Sequence, residues 1–185
     1  MSHPSEHLFV KVFFALWPTA EERGHLAGWQ TPLKLLCGGR AMRGETLHNT
    51  IVFIGVIEKG RLESLQLAAS EVSGENFELC FNKARYWGHN HIVYAAPGHL
   101  PQQLAQLVGT LEQNLTAHRF KFEQREFKPH VTLLRNAHWT DAPLPEMQPV
   151  RWRISDFALV QSVQQDGLAG YRVLSRFPLR FCGGL

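Results

Sequence analysis

The chain has 185 residues, 44% apolar and 19% charged, which is ordinary for a globular protein and fits one domain or two small lobes sharing a core. A formal net charge of +3 is compatible with a phosphate-bearing partner but too weak to name one. No run approaches the roughly 18 uninterrupted apolar residues of a membrane span, and Cys37, Cys80 and Cys182, odd in number and far apart, argue against a disulfide framework or zinc knuckle and for a reducing cytoplasm.

Leu8 to Trp17 is apolar but contains Lys11, follows no basic segment and precedes no small-residue cleavage site, so it reads as a first strand rather than a leader. Pro18 ends it. Thr19 with Glu22 three residues on makes a capping box, predicting a helix to about Leu36. Cys37-Gly38-Gly39-Arg40 breaks that helix, and a loop bearing Arg40 and Arg43 leads into Leu47-His48-Asn49-Thr50-Ile51-Val52-Phe53, a strand expected to end near Gly55. Leu62, Leu65, Ala69 and Val72 recur at helical spacing, predicting a second helix over Glu58 to Val72. Phe77 to Arg85 and His91 to Ala96 read as strands around a turn.

Pro97-Gly98 opens a third predicted helix, with Leu100, Leu104, Leu107, Val108, Leu111 and Leu115 on one face. A basic, loop-like segment follows, with His118, Arg119, Lys121, Arg125 and Lys128 offset by Glu123 and Glu126. It delivers the chain to Pro129-His130-Val131-Thr132-Leu133-Leu134-Arg135, a buried strand with its proline only at the first position. Ala137 to Pro149 reads as a surface loop. Trp152 to Ser162 and Tyr171 to Phe181 read as a closing antiparallel pair.

Side chains alternate along a strand, so His48 shares a face with Thr50, and His130 with Thr132. A third His-x-Thr, His138 to Thr140, runs into Asp141-Ala142-Pro143 and reads as a turn. The two strand copies occupy equivalent places in a repeat: an apolar strand ending in Pro18 or Pro97, a helix, then the histidine strand. A pseudo-twofold arrangement would bring both pairs into one cleft. Such a site suits a phosphodiester. Histidine titrates near neutrality, so one copy can remove a proton from an attacking hydroxyl while the other protonates the leaving oxygen. Each threonine hydroxyl can donate to a non-bridging phosphoryl oxygen. That chemistry needs no metal.

These residues resemble the 2H phosphoesterases, specifically the LigT-like RNA 2′,3′-cyclic phosphodiesterases, also called 2′-5′ RNA ligases. The likeness covers nearly the whole chain: Phe13-Phe14-Ala15-Leu16 with Pro18, the His48 motif with Phe53 and Gly55, the His130 motif with Arg135, and closing segments at Gln161-Ser162, Tyr171 and Phe177-Pro178-Leu179. Asn49 departs from the family's usual aliphatic residue, at a position expected to face away from the site. The resemblance implies an α+β fold in a single bilobal domain over residues 1–185, a duplicated pseudo-twofold structure with two antiparallel sheets lining a central cleft and helices outside. It implies His48 as proton donor and His130 as acceptor, with water opening a 2′,3′-cyclic phosphate to a 2′-phosphate and weak ligation in reverse. No cofactor or metal is implied. The expected partner is RNA ending in a 2′,3′-cyclic phosphate or a small cyclic nucleotide, bound by a cytoplasmic monomer away from any membrane.

Arg135, Arg40, Arg43 and Lys128 are further candidates for phosphate contact, each with a surface role as the alternative. Five residues past His130, Arg135 points to the opposite face of an unbroken strand and would need a bulge or a strand end to reach phosphate. His89 and His91 have ligand-like spacing but lack a third ligand nearby. Trp17 and Trp87 suit either base stacking or core packing. The rival readings are a phosphodiesterase for another cyclic or 2′-5′-linked nucleotide, a non-catalytic nucleotide- or RNA-binding module, and a metallohydrolase, which a chelator would inhibit.

Overall fold

The computed structural model describes residues 8–180, so Phe181 and Cys182 lie outside the described residues. Among the described residues, nine strands form two antiparallel sheets, with four α-helices. The first sheet runs β3 (Asn49–Glu58), β1 (Phe9–Leu16), β8 (Asp156–Gln165), β9 (Leu168–Pro178); the second runs β2 (Arg40–Ala41), β6 (Val131–Arg135), β5 (Ile92–Pro97), β4 (Phe77–Trp87), β7 (Val150–Ile154). This is the expected α+β architecture, and the repeat is visible in it. β1 pairs antiparallel with β3, β5 pairs antiparallel with β6, and a histidine immediately precedes β3 and β6 alike.

Alternation sorts the strands' two faces. On β1, Val10, Val12, Phe14 and Leu16 enter the main core, while Phe13 and Ala15 join Ala158 and Val160 in a small cluster on the other face. On β5, Val93 and Ala95 enter the main core, and Ile92, Tyr94 and Ala96 form a second small cluster with Trp87. The main core also takes Leu65, Ala68 and Ala69 of α3 (Leu62–Ser70) and Leu104, Leu107, Leu111 and Leu115 of α4 (Gln102–Ala117). The face of each sheet turned from the helices is therefore the face beside its histidine.

Several boundaries differ from expectation. The capping box forms, with the Glu22 N–H donating to Thr19 Oγ1 at 3.2 Å and the Thr19 N–H to Glu22 Oε2 at 3.0 Å. Yet the single helix is two, α1 (Ala20–Ala27) and α2 (Gln30–Cys37). The Trp29 N–H donates to Leu26 at 3.0 Å, a tightened i−3 closure at weak helix former Gly28, and this turns Trp29, Leu33 and Cys37 into the core. Gly55 does not end β3, which continues to Glu58. Its φ of +89° sits at a bulge against β1, a conformation glycine tolerates. The second helix starts at Leu62 because residues 58–61 finish the strand and make a 3-10 turn. The third starts at Gln102, after Pro101, and leaves Leu100 exposed. Finally, Trp152 to Ser162 is two strands in different sheets. β7 pairs with β4, the chain turns at Ser155, and β8 pairs with β1 and β9.

Candidate active site

A cleft with a volume of about 230 Å³ is lined by His48, Thr50, His130, Thr132 and Arg135, with Lys11, Phe13, Met42, Thr46, Phe53, Arg125, Ser162 and Tyr171. Both His-x-Thr pairs are thus in one place, and the lining includes three cations and no carboxylate.

Each histidine is oriented by its own backbone. His48 Nδ1 is 2.6 Å from the Thr46 carbonyl, and His130 Nδ1 is 2.7 Å from the Lys128 carbonyl, the same i−2 relationship twice. A carbonyl oxygen only accepts, so Nδ1 carries the proton in both rings and Nε2 is left for chemistry. His48 Nε2 lies 3.1 Å from Thr50 Oγ1, which donates to it when the ring is neutral.

Aromatic rings surround His48. Trp17 stacks on it at 5.3 Å, Phe13 lies at 5.1 Å and Tyr171 meets it edge-on at 5.0 Å. Burial pushes its pKa down to about 4; the Thr46 carbonyl opposes this, and His130, Arg23 and Arg135 add like charge. His130 is flanked by Trp87 at 4.6 Å and Tyr94 at 5.7 Å. Burial lowers its pKa too, against the Lys128 carbonyl and with help from Arg125. Trp17 is therefore occupied on His48, with the Arg23 guanidinium 5.1 Å from its ring.

The bulge that Arg135 requires is present. β6 pairs Thr132 with Tyr94 and then Leu134 with Val93, leaving Leu133 as the extra residue. Past that point the face alternation reverses, and Arg135 turns into the cleft beside Thr132. Buried Gln30 holds the bulge, donating from Nε2 to the Leu133 carbonyl at 3.0 Å and the Met42 carbonyl at 2.8 Å. Gly39 permits the approach of the preceding loop: its φ is +81°, and a Cβ there would lie 2.5 Å from the Arg135 carbonyl oxygen.

The other cationic candidates are elsewhere. Arg40 pairs with Arg135 along the sheet and is exposed. Arg43 donates to the Ala169 carbonyl at 2.5 Å and lies 3.6 Å from Glu45. Lys128 supplies its carbonyl to His130, its ammonium is 3.5 Å from Glu126, and it lines an adjoining cavity that shares Thr50 and His130 with the cleft. None of the three lines the cleft; Lys11 and Arg125 do. Asn49, expected to face away from the site, does not line the cleft but reaches the other motif from the buried side. It is fully buried, and its Oδ1 accepts the His130 N–H at 2.8 Å. His91 bonds Tyr86 at 2.9 Å, and no group of three or more His, Cys, Asp or Glu able to hold a metal occurs among the described residues.

Residues 20–166 match the family model described as the 2′-5′ RNA ligase superfamily. The chain is 27% identical over 169 residues to the RNA 2′,3′-cyclic phosphodiesterase of Escherichia coli, covering 91% of this chain and 96% of the relative. It is 27% identical over 187 residues to the protein of the same name from Thermus thermophilus, covering 92% and 91%. Among solved structures, E. coli LigT in apo form superposes with a TM-score of 0.81 at 26% identity, covering 93% of this chain and 98% of that one. That protein is also known in complex with 3′-AMP. No helix of the described residues is long and apolar enough to cross a membrane.

Proposed function

The chain belongs to the 2′-5′ RNA ligase superfamily, and on that premise we propose that it is a phosphodiesterase opening RNA 2′,3′-cyclic phosphate ends to 2′-phosphates, with 2′-5′ ligation when an RNA 5′-hydroxyl replaces water. The observation that carries this reading is the pair of histidines locked alike through Nδ1 to a backbone carbonyl in one cation-lined cleft.

In the forward direction His130 Nε2 takes a proton from water as its oxygen bonds to phosphorus. The phosphorus–O3′ bond breaks in line, and His48 Nε2 gives its proton to the departing 3′ oxygen. Thr50 and Thr132 hydroxyls donate to the non-bridging oxygens, and Arg135 balances the charge that gathers on them. With an RNA 5′-hydroxyl in place of water, the same groups act in the same direction: His130 takes the hydroxyl proton, O3′ leaves with the proton from His48, and a 2′-5′ phosphodiester forms. His48 starts from a pKa near 4 in the empty cleft. A bound phosphate anion favours its charged form, and the imidazolium so formed holds the proton the leaving oxygen needs.

The test is a digest of a short RNA ending in 2′,3′-cyclic phosphate, in excess EDTA, with the product's phosphate position assigned. A 2′-phosphate product is expected, with turnover reduced on the order of 10²- to 10⁴-fold in His48→Ala and in His130→Ala while nucleotide binding persists. A 3′-phosphate would reverse the substrate's orientation. Binding without turnover in the wild type would make the protein a binding module, and loss of turnover in EDTA alone would indicate a metallohydrolase.

A further inference from the structure

The cleft extends past the histidines along the first sheet. Phe13, whose ring is 5.1 Å from that of His48, belongs to the odd-numbered face of β1. Lys11 is the next residue on that face, about 7 Å further along the strand at two residues' rise. It is level with Ser162 on β8, which is itself level with Tyr171 on β9, so the three form a row across adjacent strands. All three line the cleft, and Arg125, with its guanidinium 3.6 Å from Glu123, lines it from the segment that leads to His130. Lys11 is exposed and no carboxylate lies within 4 Å of it among the described residues; its ammonium instead sits 5.6 Å from the Phe53 ring. An unpaired ammonium, a hydroxyl and an aromatic ring, in the same cleft as the catalytic candidates, make a place for a second phosphate with its nucleoside.

Resting on the phosphodiesterase reading above, we propose that Lys11, Ser162 and Arg125 form a second anion subsite that takes the phosphate on the 5′ side of the terminal nucleotide. Lys11 and Arg125 would share in neutralising it and Ser162 would donate a hydrogen bond. The terminal cyclic phosphate stays between the histidines. The substrate class this favours is an oligonucleotide end over a nucleoside 2′,3′-cyclic phosphate, because only the former carries a second charge at that place.

The experiment compares kcat/KM for a nucleoside 2′,3′-cyclic phosphate with that for a dinucleotide ending in the same group, in the wild type, Lys11→Met and Lys11→Arg. The wild type is expected to prefer the dinucleotide. Lys11→Met is expected to lower the dinucleotide-to-mononucleotide ratio about five- to tenfold, mainly through KM, and Lys11→Arg to restore it. A 5′-phosphorylated mononucleotide separates the two sources of the anion. If it gains the same preference, any 5′ phosphate is bound; if only the dinucleotide does, the subsite takes a phosphodiester. A ratio unchanged by Lys11→Met would overturn the subsite while leaving the phosphodiesterase reading intact. Turnover of neither substrate by the wild type would overturn that reading and the subsite with it.

Discussion

Asn49 Oδ1 accepts the backbone N–H of His130 at 2.8 Å, so a residue of the first His-x-Thr motif fixes the main chain of the second. The bond crosses from the entrance of β3 to the entrance of β6, and Asn49 is fully buried. Its Nδ2 is buried without a partner, a cost accepted to keep the amide there. Asn49→Leu removes both the acceptor and that orphaned donor. Stability should change by no more than about 1 kcal/mol, because the two effects oppose each other. Catalysis should suffer more: a loosened His130 is expected to lower kcat about tenfold with KM little changed. Melting curves alongside steady-state kinetics check both halves. A large Tm loss with unchanged kcat would make Asn49 a packing residue only.

The histidines' depressed pKa values set the pH dependence. On the proposed mechanism the free enzyme must hold His48 protonated and His130 neutral, with His48 near 4 and His130 below its usual 6.5. Both limbs of the kcat/KM profile should therefore fall below pH 6.5. A bound phosphate raises both values, so the basic limb of kcat should lie at higher pH than that of kcat/KM. Parallel profiles of the two parameters measure the offset. Coincident basic limbs would contradict an acid charged by its own substrate.

Folding stability should respond to the same residue. His48 titrates near 6.5 when unfolded and about 4 when folded, so between those values the unfolded chain binds a proton that the folded chain does not. Stability is then full above pH 6.5 and is lost as pH falls toward 4. The loss from this half-buried group is about 2–3 kcal/mol. His48→Gln should flatten the fall in Tm over that range, and an unaltered slope would assign acid sensitivity to other groups.

Gly39→Ala should be costly despite adding one methyl group. The φ of +81° is unfavourable for alanine, and the new Cβ would press on the Arg135 carbonyl. A loss of about 2 kcal/mol is expected. Because β6 must shift, KM should rise as Arg135 leaves the cleft. Gly60→Ala, where a Cβ meets nothing within 4 Å, is the matched control.

What the sequence makes legible here is whatever depends on period and repeat. Alternation pairs each histidine with its threonine, and the repeat puts both pairs at one cleft. What it conceals depends on non-local fit. Nothing near Leu133 announces a bulge, since the buried amide that satisfies its carbonyl is Gln30, a hundred residues earlier. The change of sheet at Ser155 is hidden because β7 and β8 both alternate acceptably, and alternation does not say which sheet a strand joins. Arg40 and Arg43 are near His48 in sequence but are drawn off by β6 and by the Ala169 carbonyl. Lys11 was available to pattern alone, two residues before Phe13, but its place in the same cleft as His48 emerges only when β1 lies between β3 and β8.

The two halves of the cleft are alike in backbone and unlike in lining. His48 sits among Trp17, Phe13 and Tyr171, with the Lys11 row beyond; His130 has Trp87 and Tyr94. A cleft with a true dyad would accept a strand running either way, and half of all encounters would present the wrong oxygen to the acid. The unequal walls give this cleft a polarity: one end is built for the tip of a chain and the other for what the tip is attached to.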